Sequence, residues 1–260
     1  MKIEQLKMPE LKSYCETLNI DIKKKKKEDL VKAVYDYQRK EIDDAIKDGS
    51  CLDLLKLKIQ YLADEYTTNL NSKITARKAE MKKDDNSHYL IYRVLGISNT
   101  DGMLIDEYQN TGRFLYKYAG SFLEEAASLC IFFSNSNGGK TIVENTEGKK
   151  PKTFEIDFLN GNDAVELKWR DATTDGDHIT KEHTRVKVIK GHGYNPVRVM
   201  FYYPQREQAI KIQETLKTLY KGVKGEYYAG DDAWDYLTKI SGYDLKAILT
   251  EIADNRELSK

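Results

Sequence analysis

No stretch of the chain approaches the roughly 18–20 consecutive apolar residues that a bilayer-spanning helix needs, so no such helix is expected. The opening MKIEQLKMPELK lacks the apolar centre of a secretory signal. Cysteine is sparse. Cys15, Cys51 and Cys130 are scattered and odd in number, with neither disulfide nor metal-ligand spacing. A reduced, cytoplasmic location is the expectation, with no membrane partner. Net charge is absent too, since 42 Lys and Arg balance 42 Asp and Glu. A basic coat over the whole chain is thereby excluded, and any nucleic-acid surface has to be local.

What is present is enough for a sizeable core: 260 residues, 40% of them apolar. One large domain, or a main domain with a small module, fits that length. Charge is unevenly placed. Lys181 to Lys224 carries ten Lys or Arg against three Asp or Glu, whereas Glu226 to Lys260 carries eight acids against four bases. A local basic surface on a neutral chain suits a ligand held in a cleft; a solvated, lysine-rich helix face is the plainer alternative.

Residues 1–48 have helical spacing in two short stripes, Leu6, Leu11, Tyr14, Leu18, Ile20 and then Leu30, Val31, Val34, Tyr35, separated by Lys23–Lys27. Residues 51–83 predict one long helix. His88–Ile97 suits a strand or a buried helix equally, Asn99–Gly102 predicts a turn, and 103–133 returns to helical spacing. Thr141–Glu144 predicts an edge strand, Thr173–His183 a polar loop, and Arg185–Ile189 and Pro196–Tyr203 strands. Gln205–Tyr220 predicts an amphipathic helix, and the tail from Asp231 is helical.

The most informative segment is FEIDFLNGNDAVELKWRD, residues 154–171. Phe154–Phe158 and Ala164–Arg170 alternate with period two, and Asn160-Gly161-Asn162 supplies the turn. Alternation puts Phe154, Ile156 and Phe158 on one face and Glu155 and Asp157 on the other. It also puts Val165, Leu167 and Trp169 opposite Ala164, Glu166, Lys168 and Arg170. Either Asn160-Gly161 or Gly161-Asn162 can form the two-residue turn, and both registers bring Asp157 to the face of Glu166 and Lys168. Two carboxylates can hold a hard divalent cation in oxygen ligands. Such a cation lowers the pKa of a bound water and neutralises charge on a reacting phosphate. A lysine two residues along the strand points at the same place. An ordinary half-exposed hairpin with cross-strand acid–base pairs is the competing reading.

An acid, a spacer of eight residues and then Glu166-Leu167-Lys168 resembles the PD-(D/E)xK nuclease pattern. That resemblance implies a mixed α+β sheet built as helix, hairpin, strand, helix, behind a helical N-terminal region. An upstream helix commonly adds an acid. Gly120–Ala127 stands in that place, with Glu124 preferred over Glu125 because Ser121 and Ala127 on its face are small. YRVLGI, GRFLYKYAGSFLEEA and ELKWRDATTDGDH further resemble the type II restriction endonucleases grouped around ApaLI. This resemblance implies magnesium-dependent cleavage of double-stranded DNA at a short sequence, leaving 5′-phosphate and 3′-hydroxyl ends. It implies Asp157, Glu166, Lys168 and Glu124 as catalytic residues, with Asp157, Glu166 and Glu124 holding Mg²⁺. Arg170, Asp171, Thr173, Thr174, Asp175, Asp177, His178, Lys181, His183 and Arg185 then become candidates for base or phosphate contacts. Turn-making chemistry is the other account of that loop.

Residues 1–48 resemble the small SAP-type DNA-contacting modules in Glu10-Leu11-Lys12, Leu18-Asn19-Ile20 and Lys27–Val31, which divides the chain into 1–48 and a nuclease domain over 49–260. A homodimer is the default for an enzyme that meets palindromic targets. Asn137–Thr141 ends like a phosphate-binding loop, but Ser134 stands where its first glycine is required. The spacing of His178, His183 and His192 does not suit a transition-metal site. Two other functions remain open: a nuclease that reads DNA structure, which would nick only junctions or damage, and a non-catalytic DNA-binding protein, which would bind without cutting.

Overall fold

The computed structural model of the chain describes residues 3–170 and 176–258, excepting the side chains of Gln5 and of residues 176–178. Helices α1 (Met8–Thr17) and α2 (Lys27–Asp48) open the chain. The lysine run between them leads into α2 through Asp29, whose carboxylate accepts the Lys26 N–H at 3.0 Å. Leu11, Cys15, Leu30 and Val34 close a small core there, while Ile42, further along α2, joins the main core with Leu55 and Ile59. The second apolar stripe thus belongs to a helix of 22 residues and not to a short one.

Helix α3 (Cys51–Met81) lies against the 36-residue α5 (Asn99–Ser134), with the short α4 (Tyr89–Val94) between them in sequence. Asn99–Gly102, expected as a turn, is the first turn of α5: Ser98 Oγ accepts the Asp101 N–H at 3.1 Å, so an N-cap replaces the loop. His88–Ile97 resolves as α4, and no α4 residue is buried. Tyr92 packs there over Gly102, where a Cβ would come within 2.7 Å of the Tyr92 ring. Burial on α3 is confined to Leu55, Ile59 and Leu62, and on α5 to Gly102 and the residues from Leu123 onward. Helix α4 and the first half of α5 therefore carry exposed apolar side chains, including Leu90, Ile91, Val94, Met103 and Leu104, with exposed Leu95 just after α4.

The sheet follows in the order β1 (Gly139–Glu144), β2 (Thr153–Asn160), β3 (Asp163–Arg170), β4 (Asn195–Tyr202) and β5 (Glu226–Ala229). Pairings β1–β2 and β2–β3 are antiparallel, and β3–β4 and β4–β5 are parallel. This is the expected mixed α+β sheet, with a fifth strand that the sequence did not disclose. Leu123, Ala126, Ala127 and Cys130 of α5 and Trp234 and Leu237 of α8 (Asp231–Ser241) cover one face, against Val165, Leu167, Val197, Val199 and Phe201. Helices α6 (Gly176–Gly191) and α7 (Glu207–Gly222) cover the other, and α9 (Leu245–Leu258) ends the chain. No helix among the described residues is long and apolar enough to cross a membrane.

Two expectations are corrected here. The region expected as polar loop to His183 and strand Arg185–Ile189 is helical from Gly176 to Gly191. Strands β3 and β4 are parallel, so the chain has to cross over between them, and α6 makes that crossover with Glu182, Val186 and Ile189 turned inward at helical spacing. The apolar row of β2 is also divided. Phe158 packs in the α5 core, whereas Phe154 and Ile156 pack with Val188 and Ile189 of α6. The cause is a register shift: Gly139 pairs with Leu159 and Thr141 with Ile156, so two residues of β2, Asp157 and Phe158, oppose Lys140 alone. An extra residue of this kind reverses the alternation.

Candidate active site

The bulge places Asp157 where β2 and β3 separate. The β2–β3 ladder closes on the turn Gly161-Asn162, with Gly161 in the left-handed region at φ 59°, and its pairs run from Asn160↔Asp163 to Phe158↔Val165. One step further the strands part, and the Leu167 N–H donates to Asp157 Oδ2 at 2.9 Å. A side chain thus takes over a ladder bond, holding the carboxylate in the fork.

Lys168 is the centre of the cluster. Its Nζ lies 2.8 Å from Glu166 Oε1, 3.4 Å from Asp157 Oδ2 and 3.5 Å from Glu124 Oε1. Three elements supply those carboxylates: β3, β2 and α5. Glu125 turns elsewhere and accepts a hydrogen bond from Tyr66 OH at 2.9 Å.

Behind the fork, charge pairs continue inward. Arg185 of α6 donates through Nη1 to Glu166 Oε2 at 2.5 Å and to the Glu155 carbonyl at 3.1 Å. Its Nε lies 3.1 Å from Glu182 Oε1. Buried Arg198 of β4 and buried Tyr220 of α7 both donate to Glu182 Oε2, at 3.1 and 3.2 Å. Arg185 therefore ties both arms of the fork to the crossover helix.

These neighbours push the two strand carboxyls apart. Burial and the charge of Glu166 raise the Asp157 carboxyl to about 6, against the pull of Lys168. Burial also works to raise Glu166, but Lys168 and Arg185 outweigh it and hold that carboxyl at about 2. Burial would lower the Lys168 ammonium, yet Glu166, Asp157 and Glu124 together raise it, so it stays protonated.

Among the described residues no group of three His, Cys, Asp or Glu side chains forms a metal-binding cluster, because the carboxylates are gathered around Lys168 Nζ. The donor chemistry nevertheless fits a hard divalent cation. All the candidate ligands are carboxylate oxygens, and three of these carboxylates, Asp157, Glu166 and Glu124, share the one Lys168 ammonium.

The other expected contacts are dispersed. Arg170, Lys181 and His183 are exposed. Arg185 instead faces inward onto Glu166 and Glu182. Asp171, Thr173, Thr174 and Asp175 lie outside the described residues, as do the side chains of Asp177 and His178. His192 bonds the Glu144 carbonyl at 2.9 Å, and Lys140 pairs with Glu155 at 2.5 Å. Sequence reasoning missed Glu182 and Arg198, although Glu182 and Arg185 stand at the i, i+3 spacing of a helical ion pair.

No curated protein gives a significant match to the chain. The family model described as ApaLI-like restriction endonuclease matches residues 16–254, which takes in the fork, all five strands, α2 to α8, most of α9 and the last two residues of α1. The chain therefore belongs to the ApaLI-like restriction endonuclease family and is a nuclease whose substrate is DNA.

Proposed function

We propose that the protein is a type II enzyme that hydrolyses double-stranded DNA at a short specific sequence, with Mg²⁺ as cofactor. The convergence of Asp157, Glu166 and Glu124 on Lys168 at the strand fork carries this reading. Asp157 and Glu166 would hold the ion, with Glu124 completing the acidic wall. When bound, the ion supplies Lewis-acid polarisation of the phosphate and a lowered pKa for the attacking water.

The chain's own groups do the rest. Lys168, held protonated, donates hydrogen bonds that orient the water and the phosphate oxygens as charge builds on them. Arg185 keeps Glu166 ionised and fixed in direction. In-line attack then leaves a 5′-phosphate and a 3′-hydroxyl.

Arg170, Lys181 and His183 offer exposed contacts for DNA, and residues 171–178 are candidates for base reading. The exposed lysines around residue 24 suit phosphate contact by a 1–48 module beside the nuclease domain of 49–260. A homodimer is supported by the exposed apolar face of α4 and the start of α5, where Val94 and Leu95 are 73% and 70% exposed. Sedimentation of wild type beside Val94→Asp measures this, and a monomeric wild type refutes it. Three free cysteines are in keeping with a reducing, cytoplasmic setting.

The deciding experiment is digestion of DNA of known sequence by wild type, Lys168→Ala and Asp157→Asn, with the ends mapped. Discrete fragments from wild type alone, with both variants still binding the same DNA, are expected. Cleavage by both variants at the wild-type rate refutes the site; nicking confined to junctions or damage refutes sequence specificity.

A further inference from the structure

Beyond Lys168, strands β3 and β4 end side by side, with Arg170 paired in register to Tyr202. An open groove of about 550 Å³ lies at these carboxyl ends, lined by Trp169, Arg170, Tyr202, Tyr203, Pro204, Gln205 and Arg206. Among the described residues of this lining, two are cationic and none is acidic. The groove is also rich in rings, with Trp169, Tyr202 and Tyr203 in its lining. Tyr202 is 52% exposed, and Tyr116 of α5, alongside, is 57% exposed. The Arg170 guanidinium lies 5.6 Å from the centres of both the Tyr116 and Trp169 rings, which are themselves 5.7 Å apart. Tyr202 meets the buried Trp234 edge-on at 5.9 Å and still leaves about half of its own surface open.

Position adds to composition. Lys168 and Arg170 are two residues apart on one strand, roughly 7 Å. Phosphates on a DNA strand follow each other at about 3.4 Å along the helix axis. A phosphate held at Lys168 therefore brings a nucleotide one or two steps away to the mouth of the groove.

Resting on the nuclease reading above, we propose that this groove binds one unstacked nucleotide of the DNA next to the scissile phosphate, its base stacked on Tyr202 and Trp169 and its phosphate met by Arg170 and Arg206. Every base has a π-face, so the contact tolerates any base and contributes grip rather than sequence choice. It also opens the duplex locally beside Lys168, giving the attacking water room in line with the phosphate.

The test uses two single-stranded eight-mers of equal charge, oligo-dT and its fully abasic counterpart, titrated onto the full chain in EDTA. Tryptophan emission reports binding, since Trp169 lies at the groove and Trp234 is buried. Oligo-dT is expected to bind roughly tenfold more tightly than the abasic strand and to quench the emission, as stacking of a base on an aromatic side chain predicts. Trp169→Phe should abolish the quenching. Tyr202→Ala, at an exposed position, should bring the two affinities together, whereas Arg206→Gln should weaken both strands alike. Equal affinity of wild type for the two strands overturns the groove, as does a dT preference that survives in Tyr202→Ala. Neither result touches the nuclease reading, which fails separately if wild type does not cut duplex DNA with Mg²⁺.

Discussion

Replacing Asp157 by Asn should make the metal-free protein more stable while abolishing cleavage. Asp157 is held in the fork by the Leu167 N–H, beside Glu166 and 3.4 Å from Lys168 Nζ. Its carboxyl is raised from 3.8 to about 6, burial being the larger cause and Glu166 the next. A native state that holds a proton more tightly than the unfolded chain loses stability as pH rises between those two values. At pH 8 the full cost is reached, about 3 kcal/mol for a displacement of some two pH units at 1.36 kcal/mol each. Asparagine keeps an oxygen for the Leu167 N–H and removes the charge, so a gain of about 1–3 kcal/mol is expected. For a chain of this size that corresponds to roughly 3–10 °C in Tm. Thermal unfolding in EDTA at pH 8 and pH 5 measures it, and the gap should shrink to about half at pH 5, where much of the wild-type carboxyl is protonated. An Asp157→Asn protein no more stable than wild type at pH 8 would refute the account of crowded negative charge in the fork.

Glu182→Ala should cost about 3–5 kcal/mol in urea unfolding, because it removes the carboxylate paired with the buried Arg198 guanidinium at 3.1 Å. An unchanged midpoint would show that the network behind the fork contributes nothing. Gly138→Ala puts a Cβ 2.4 Å from the Phe158 ring and 2.6 Å from the Leu159 carbonyl; about 1–3 kcal/mol of stability should be lost, with cleavage impaired through displacement of the neighbouring bulge. His88 is raised above 6.5 chiefly by its hydrogen bond to Asp106. Its contribution is therefore complete below pH 6.5 and disappears as pH rises through the raised value. Hydrogen exchange in α4 should quicken over that interval, and should show no such step in His88→Gln.

Several elements could be read directly because each carries its own local signal. The stripe along α3, the amphipathic α7 and the turn at Gly161 follow from period and turn chemistry alone. Asp157, Glu166 and Lys168 stood out for the same reason, two strands of alternating residues joined by a two-residue turn. The division of β2 at Asp157 escaped notice because a bulge is defined by the partner strand: it exists only where Gly139 and Thr141 choose Leu159 and Ile156. Helix α6 was misread because VKVI is β-branched and short, and only the parallel pairing of β3 with β4 demands a crossover there. Arg185, expected at the DNA, turns inward onto Glu166 and Glu182 in the folded chain.

The sequence by itself determined the local periods, the hairpin and the set of charged types on it, since each depends on residues within a few positions of one another. It also carried the family, through motifs between Tyr92 and His178. Only the tertiary structure decided which glutamate of α5 meets Lys168, how Glu182 and Arg198 are joined, and that Tyr116, Trp169 and Tyr202 share one edge. These are meetings between elements far apart in the chain, and their geometry comes from the packing of helices on the two faces of the sheet, which no local pattern encodes.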